Sequence, residues 1–172
     1  MSRKLLTMIA TSLMLSANAA AGAPGNPFFA SSGLPYQYPS FNEIRDAHYA
    51  PAVAEGMRQQ LAEINAIADS KAAPTLENTI VAMERSGQLL ARVSRVFFNL
   101  TSANTNDTLE RLERDLSPKL AAHRDAIRLN IRLFERVQAL YDKRESLGLD
   151  AESARLLERY HTDFVRAGAR LS

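Results

Sequence analysis

The sequence has 172 residues, of which 46% are hydrophobic and 23% charged, with a formal net charge of +2. It contains no cysteine, which excludes disulfides, thiolate chemistry, cysteine-based metal sites and a lipoprotein anchor. Without the first nineteen residues, which contain Arg3, Lys4 and no acid, 19 basic residues balance 19 acidic ones, so charge gives no reason to expect nucleic acid or an anionic membrane as a partner.

Residues 1–21 are predicted to be a secretory signal peptide. A basic start precedes an apolar run from Leu5 to Leu15, and the small residues at 17–19 form the predicted cleavage box. The alternative, a membrane anchor, is disfavoured because the run is about eleven residues long and a helical span needs about twenty. We therefore expect export, to the periplasm of a double-membraned bacterium, and no stable membrane span.

An extended arm is predicted over residues 22–41, because its prolines each push the preceding residue out of helical geometry. The arm is too apolar for a free tail, and we expect it to lie as a strap across helices. A proline-rich ligand for an interaction module is the alternative. The apolar side chains are Phe28, Phe29, Leu34, Tyr36, Tyr38 and Phe41.

A helical domain is predicted over residues 42–172. Its first long helix runs from about Ala50 to Asp69, with Pro51 tolerated in the first turn. The apolar stripe of this helix comprises Val53, Met57, Leu61, Ile64 and Ala68. The short connection at 71–74 favours an antiparallel neighbour.

A second helix is predicted over most of residues 74–107, with Thr75 as its N-cap and Glu77 favourably placed in its first turn. Short polar side chains at 101–107 compete with helical hydrogen bonds and end it. The stripe is wide enough to need neighbours on two sides. It comprises Leu76, Ile80, Met83, Gly87, Leu90, Val93, Phe97 and Leu100.

A third helical stretch is predicted from Asp107, with Glu110 completing a capping box, to Gly148. Pro118 removes a backbone hydrogen bond, so we expect a kink near Arg114 or Asp115. Asn130 is a candidate for a second break.

A last helix is predicted to begin after Asp150, its N-cap, and to continue to Ser172 without a terminating glycine. Its stripe comprises Ala154, Leu157, His161, Phe164, Gly168 and Leu171. The predicted fold class is therefore all-α, with antiparallel helical segments and an extended N-terminal arm. Because the pattern stops in mid-helix, we expect the sequence to be cut from a longer one.

Short motifs in order along the chain resemble the amino-terminal helical region of a peptidase family. They include Asn-Pro-Phe at 26–28, Leu-Pro-Tyr at 34–36, His-Tyr-Ala-Pro-Ala at 48–52, Glu-Asn-Thr-Ile at 77–80, Val-Phe-Phe-Asn-Leu at 96–100 and Phe-Val-Arg-Ala-Gly-Ala at 164–169. The family is the M3 zinc metallopeptidases, which include oligopeptidase A, thimet oligopeptidase and the bacterial peptidyl-dipeptidases, or dipeptidyl carboxypeptidases.

The resemblance implies a larger, mostly helical enzyme that uses zinc-activated water to release dipeptides from the carboxyl ends of short peptides. This region would form one wall and lid of its deep channel. The zinc site of the family needs His-Glu-x-x-His, and none of the histidines at 48, 123 and 161 begins that pattern. We therefore expect no catalytic or metal-binding residue and no cofactor in this chain, with the catalytic domain as its missing partner.

The remaining polar candidates have two interpretations each. Glu158 and His161 have the spacing of a di-metal ligand pair, but no second copy exists, so we interpret His161 as a partly buried helix residue. His123 is expected to contact a carboxylate or carbonyl group rather than a metal.

One polar helical face is the candidate site. An exposed, solvated face is the simpler interpretation, and a channel wall that meets substrate carboxylates through bidentate pairing is the alternative. Its residues are Arg85, Gln88, Arg92, Arg95 and Asn99.

Two hypotheses about function follow. The first is the non-catalytic N-terminal part of an exported peptidyl-dipeptidase-like enzyme, and the second is a self-standing exported helical module with a binding or chaperone-like role. The first expects a large exposed apolar patch on the isolated chain, and the second expects a finished, monodisperse bundle.

Overall fold

The computed structural model describes residues 25–169, and this range is helical with no strand, which confirms the all-α prediction. The predicted signal peptide lies outside the described residues. The α-helices are α1 (Tyr49–Ala68), α2 (Ala82–Arg85), α3 (Gln88–Ala103), α4 (Asp107–Arg128), α5 (Ile131–Tyr141) and α6 (Ala151–Ala167). A π-helix, Leu76–Val81, leads directly into α2, and short 3-10 turns lie at Pro27–Phe29, Pro35–Gln37, Asp46–His48 and Arg144–Ser146.

The arm packs most closely on the helices in its first part. Phe28 is buried, and its ring centroid lies 5.3 Å from that of Tyr49. The prediction of a strap holds only in part for residues 34–41, where Pro39 and Ser40 are partly buried and four large apolar side chains are exposed. The exposed side chains there are Leu34, Tyr36, Tyr38 and Phe41.

The stretch at 74–107 is two helical segments, so the prediction of one helix is wrong. Thr75 is the N-cap, as predicted, and its hydroxyl accepts a hydrogen bond from the Asn78 amide at 3.1 Å. The break comes at Ser86, which is extended, and at Gly87, whose φ of 70° is left-handed. The Gly87 amide donates to the Glu63 carboxylate at 2.7 Å, so α1 holds the break in place.

The third predicted stretch is also two helices, divided at Asn130 as predicted, where the Asn130 side chain accepts a hydrogen bond from the Leu133 amide. The capping box at Asp107 is wrong by one residue, because Asn106 is the N-cap. α4 continues through Pro118 to Arg128, and the kink near Arg114 or Asp115 stays a prediction. α5 ends at Tyr141, earlier than the predicted Gly148.

The last helix begins as predicted, with the Asp150 side chain accepting from the Ser153 amide at 2.8 Å. Its end was predicted wrongly. Gly168 has a φ of 95° and terminates α6, and the Ala169 amide donates to the Phe164 carbonyl at 3.1 Å. This is a Schellman motif, in which a left-handed glycine satisfies the last carbonyls of the helix.

Two hydrophobic clusters form the core, and α1 contributes to both. The first lies around the amino-terminal half of α1 with α3 and the start of α4, and its buried residues are Phe28, Tyr49, Ala52, Val53, Leu89, Val93, Val96, Phe97, Leu109 and Leu116. The second lies around the carboxyl-terminal half of α1 with α5 and α6, and its buried residues are Ile64, Ala68, Ile80, Met83, Leu133, Phe134, Val137, Leu140, Leu157, Phe164 and Ala169.

Arg136, on α5, is buried and joins that helix to the connection after α1. Its guanidinium donates to the carbonyls of Ser70 and Ala72, both at 3.0 Å, and to the side chains of Asn78 and Thr79 at 2.9 and 3.3 Å. A buried cation is costly unless its donors find acceptors. Four hydrogen bonds from this side chain therefore join α5 to the connection, while its buried Nε has no acceptor among residues 25–169.

Candidate functional site

A groove of about 470 Å³ lies between α3, α4 and α6, where the two clusters meet. Its volume is within the range of roughly 300–1,000 Å³ that is typical of ligand pockets. The apolar part of its lining is Ile64, Met83, Leu90, Phe98, Leu120, Ile127 and Phe164. The polar part is Gln60, Ser86, Ser94, His123, Arg124, Arg128, Arg159, Tyr160 and Asp163.

A chain of hydrogen bonds at this groove fixes the proton position on His123. The Ser86 hydroxyl donates to the Met83 carbonyl at 2.7 Å, so its oxygen can only accept from Gln60 Nε2, which lies 3.4 Å away. Gln60 therefore turns its carbonyl oxygen to His123 Nε2, at 2.7 Å. With the Gln60 amide in this orientation, His123 Nε2 carries the proton and the neutral ring is the Nε2–H tautomer.

His123 is 8% exposed, and burial lowers the pKa of its imidazole from the ordinary value of 6.5. Its Nδ1 is a buried acceptor without a hydrogen-bond donor among residues 25–169. The predicted carbonyl partner of His123 is thus the side-chain amide of Gln60. A neutral, buried imidazole in this arrangement orients Gln60 and the Ser86 hydroxyl at the break between α2 and α3.

Charged side chains at the edge of the groove pair with one another. Arg128 lies 4.0 Å from the Asp163 carboxylate on α6, and Arg159 lies 3.6 Å from Glu84 on α2. The Tyr160 hydroxyl donates to the same Glu84 carboxylate at 2.9 Å, and burial, with this hydrogen bond, raises the pKa of Tyr160. These pairs tie α6 to α2 and α4.

The break at Gly87 divides the candidate polar face. Arg85 lies at the end of α2, where its guanidinium pairs with Glu77 at 2.6 Å, both side chains being exposed. Gln88 begins α3 and donates to the Arg85 carbonyl at 3.2 Å. Arg85 is therefore paired with the π-helix that precedes α2.

The other members of the face lie along α3. Gln88, Arg95 and Asn99 are exposed, whereas Arg92 is half-buried and donates to the Phe28 carbonyl at 2.6 Å. Arg92 therefore holds the arm. The channel role of the face stays a prediction.

His161 is partly buried, as predicted. Its Nε2 lies 2.9 Å from Gln138 Oε1, and its ring stacks on Tyr141 with centroids 3.8 Å apart. Glu158 lies one turn earlier on α6. Within residues 25–169 no group of three His, Asp or Glu side chains is placed to hold a metal ion.

Sequence reasoning missed the parts that Gln60, Ser86 and Arg136 play. A signal was present for the break, because a Ser-Gly dipeptide inside a helical pattern is typical of a turn. Arg136 has no comparable signal, because its acceptors lie more than fifty residues earlier in the chain. In the described part of the chain, no helix is both long and apolar enough to cross a membrane.

No family model matches the sequence. Two relatives do: dipeptidyl carboxypeptidase from Escherichia coli K12 and dipeptidyl carboxypeptidase from Salmonella typhimurium LT2, each 52% identical over 147 residues. The match includes 86% of this chain, and the chain spans only 22% of the length of either relative. The resemblance that the motifs indicate is therefore confirmed: over that segment the chain is similar to two dipeptidyl carboxypeptidases.

Proposed function

We propose that this chain is the helical, non-catalytic part of an exported peptidyl-dipeptidase that hydrolyses short peptides. The observation that carries the proposal is the 52% identity to two dipeptidyl carboxypeptidases over 147 residues. At such identity the fold of the segment and its place in the enzyme are expected to be shared. Since the chain spans 22% of those relatives, the remaining polypeptide supplies the catalytic groups.

The residues of this sequence do not fit a zinc site of the His-Glu-x-x-His type, because no histidine begins that motif. In the proposal, zinc and its ligands belong to the catalytic polypeptide, and zinc supplies an activated water there. In the proposal, this chain helps to position the peptide and limits its access to the metal. Its α3 face borders the route by which a peptide reaches the metal.

Two features support that role for α3. Gln88, Arg95 and Asn99 are exposed at intervals of seven and four residues, so they lie on one side of the helix over about three turns. An exposed guanidinium such as that of Arg95 can pair with a peptide carboxylate through two parallel hydrogen bonds. Arg92, by contrast, is occupied by the Phe28 carbonyl.

A hybrid enzyme tests the proposal. The matched segment of the E. coli dipeptidyl carboxypeptidase is replaced by this chain from residue 25 onward, and release of dipeptides from a short blocked peptide is measured. We expect the hybrid to hydrolyse the peptide and a version lacking the segment to be inactive. A soluble, folded hybrid without activity would contradict the proposal.

The isolated chain provides a second test. Supplied with zinc, it should release no dipeptide, because the zinc-binding motif is absent from its sequence. Zinc-dependent hydrolysis that copurifies with the isolated chain, and that survives removal of trace proteases, would show that the catalytic groups lie here after all.

Export is part of the proposal and is tested separately. Expression of the whole sequence in a double-membraned bacterium should yield a periplasmic product that has lost about twenty residues from its N-terminus. The control carries Leu6→Arg in the apolar run, which should keep the product in the cytoplasm at full length. N-terminal sequencing distinguishes the two.

The second candidate, a self-standing binding or chaperone-like module, is favoured by a different observation. Most of the apolar stripes of α1, α3, α5 and α6 are covered within the two clusters. A monodisperse chain with a cooperative melt, weak binding of a hydrophobic dye and no rescue of the hybrid would favour this function over the first.

A further inference from the structure

The segment Leu34–Phe41, here called the aromatic arm, carries more exposed large apolar side chains than any other stretch of its length in the described chain. Tyr36 is fully exposed at 103% and Tyr38 is 63% exposed. Half of the large exposed apolar side chains among residues 25–169 lie on it, and these four are Leu34, Tyr36, Tyr38 and Phe41. Tyrosine exposed in this way is typical of protein interfaces, where its ring packs and its hydroxyl is hydrogen-bonded.

The backbone of the aromatic arm adopts a conformation that its residues do not favour. Tyr36 and Gln37 have φ values of 57° and 56°, and non-glycine residues rarely occupy this left-handed region. The Tyr36 side chain, which follows Pro35 in this turn, is fully exposed. A strained turn persists when surrounding contacts compensate for it, and residues 25–169 provide no such contact for the Tyr36 ring.

Both ends of the aromatic arm are fixed, so it is not a loose tail. Before it, Arg92 donates to the Phe28 carbonyl at 2.6 Å, and Asn26 donates to the His48 carbonyl at 2.9 Å. After it, the Arg45 amide donates to His48 Nδ1 at 3.1 Å. Within it, the Tyr38 and Phe41 rings meet edge to face with centroids 5.9 Å apart. The arm is thus an ordered ridge.

We propose that the aromatic arm docks onto the part of the peptidase polypeptide that lies outside the matched segment. This inference rests on the proposed function, since it names the partner of the helical part. The relatives are several times longer than this chain, so a large partner surface is available in the same molecule. That surface should be apolar, with carbonyl or carboxylate acceptors for the Tyr36 and Tyr38 hydroxyls.

A second copy of this chain is a less suitable partner for the aromatic arm than the remaining peptidase polypeptide. A two-fold interface needs a patch that complements itself. The cavity beside the arm, lined by Phe28, Gln37, Pro39 and Ile44 among others, is about 30 Å³, which is room for roughly one water molecule and not for a ring. This cavity therefore offers no socket beside the aromatic arm for the ring of a second copy.

Thiol labelling tests the docking directly, because the chain has no native cysteine. Y36C is prepared in the isolated chain from residue 25 onward and in the hybrid enzyme, and the rate of maleimide labelling of the introduced thiol is followed by mass spectrometry. E145C, at a side chain that is 90% exposed, is the matched control. We expect labelling of Y36C to slow in the hybrid on the order of tenfold or more, and labelling of E145C to stay the same.

Stability provides a second measurement that does not depend on labelling. The double variant Y36S/Y38S should leave the melting temperature of the isolated chain unchanged and lower that of the hybrid. Equal effects in the two contexts, or a Y36C thiol that reacts equally fast in both, would overturn the inference. Protection of the Y36C thiol in the isolated chain that disappears on dilution would overturn it in favour of self-association.

The two proposals fail in different ways. A hybrid that hydrolyses peptides but leaves the Y36C thiol fully reactive contradicts the docking and leaves the proposed function intact. A folded hybrid with a protected thiol and no hydrolysis contradicts the proposed function and supports docking. The hybrid could also prove insoluble. If the Y36S/Y38S substitutions then made it soluble, the result would count against docking, because it would mean that the aromatic arm finds no partner in the hybrid.

Discussion

At the scale of single residues, the neutral state of His123 links the stability of the fold to pH. Burial lowers the pKa of this imidazole below 6.5, so the unfolded chain takes up a proton at a higher pH than the folded chain does. The free energy of unfolding is therefore fully retained above about pH 6.5 and decreases as the pH falls from there toward the lowered pKa.

We predict that His123→Gln reduces this dependence on acidity. The measurement compares thermal melts of the wild type and the variant at about pH 7.5 and about pH 5.5, on either side of the ordinary pKa of histidine. The wild type should lose more stability between the two than the variant does. Nitrogen chemical shifts of the His123 ring should report the Nε2–H tautomer, and the opposite tautomer would contradict the hydrogen-bond assignment at Gln60 and Ser86.

A second residue-scale prediction concerns the break between α2 and α3. Gly87→Ala should destabilise the chain by about 1–2 kcal/mol for its left-handed backbone, and further because a Cβ there would lie 2.5 Å from the Gln60 side chain. Gly148→Ala is the control, since Gly148 is also left-handed but has open space around it. Chemical denaturation measures both. An equal loss in the two variants would show that Gln60 moves aside freely.

At the scale of elements, helix starts can be tested by adjacent substitutions. The Asn106 side chain accepts from the amides of Thr108 and Leu109, both at 2.9 Å, whereas Asp107 is already inside α4. We expect Asn106→Ala to reduce the free energy of unfolding by about 1 kcal/mol and Asp107→Ala to reduce it by less. A larger loss for Asp107→Ala than for Asn106→Ala in urea melts would indicate that Asp107 is the N-cap, as the sequence predicts.

The sequence predicts which segments are helical better than it predicts how they are divided. The apolar periodicity of 74–107 continues across Gly87, so it indicates one helix, yet the amide of Gly87 is drawn to Glu63 on another helix. Gly168 fits the apolar stripe of α6 equally well, and only its left-handed backbone shows that it is the end. Apolar periodicity indicates which side of a segment is buried. It does not reveal a break after which the apolar residues continue at the same helical spacing.

The sequence likewise predicts only part of the candidate site. A carbonyl partner for His123 follows from its place on an apolar stripe, but its identity as Gln60 depends on how α1 and α4 pack, 63 residues apart. The face at Arg85 to Asn99 is polar by periodicity alone, yet Arg92 turns to the arm because the Phe28 carbonyl lies within reach. Long-range partners of this kind leave no local pattern.

At the scale of the whole molecule, Arg136 connects α5 to the segment that follows α1. We predict that Arg136→Leu costs about 3 kcal/mol or more, because the carbonyls of Ser70 and Ala72 lose their donor. Arg132→Leu is the matched control on the same helix. Its guanidinium pairs with Asp69 at 2.6 Å but is 66% exposed, so its loss should cost about 1 kcal/mol or less. Equal losses in denaturant melts would contradict the role of Arg136.

The position of α1 in both clusters has a consequence for hydrogen exchange. Val53 is buried in one cluster and Ile64 in the other, so amides near the middle of α1 become accessible only when both clusters open together. α6 lies in one cluster and can detach while the other persists. Deuterium uptake should therefore be slowest in α1 and report global unfolding there, with α6 exchanging through a smaller, partial opening.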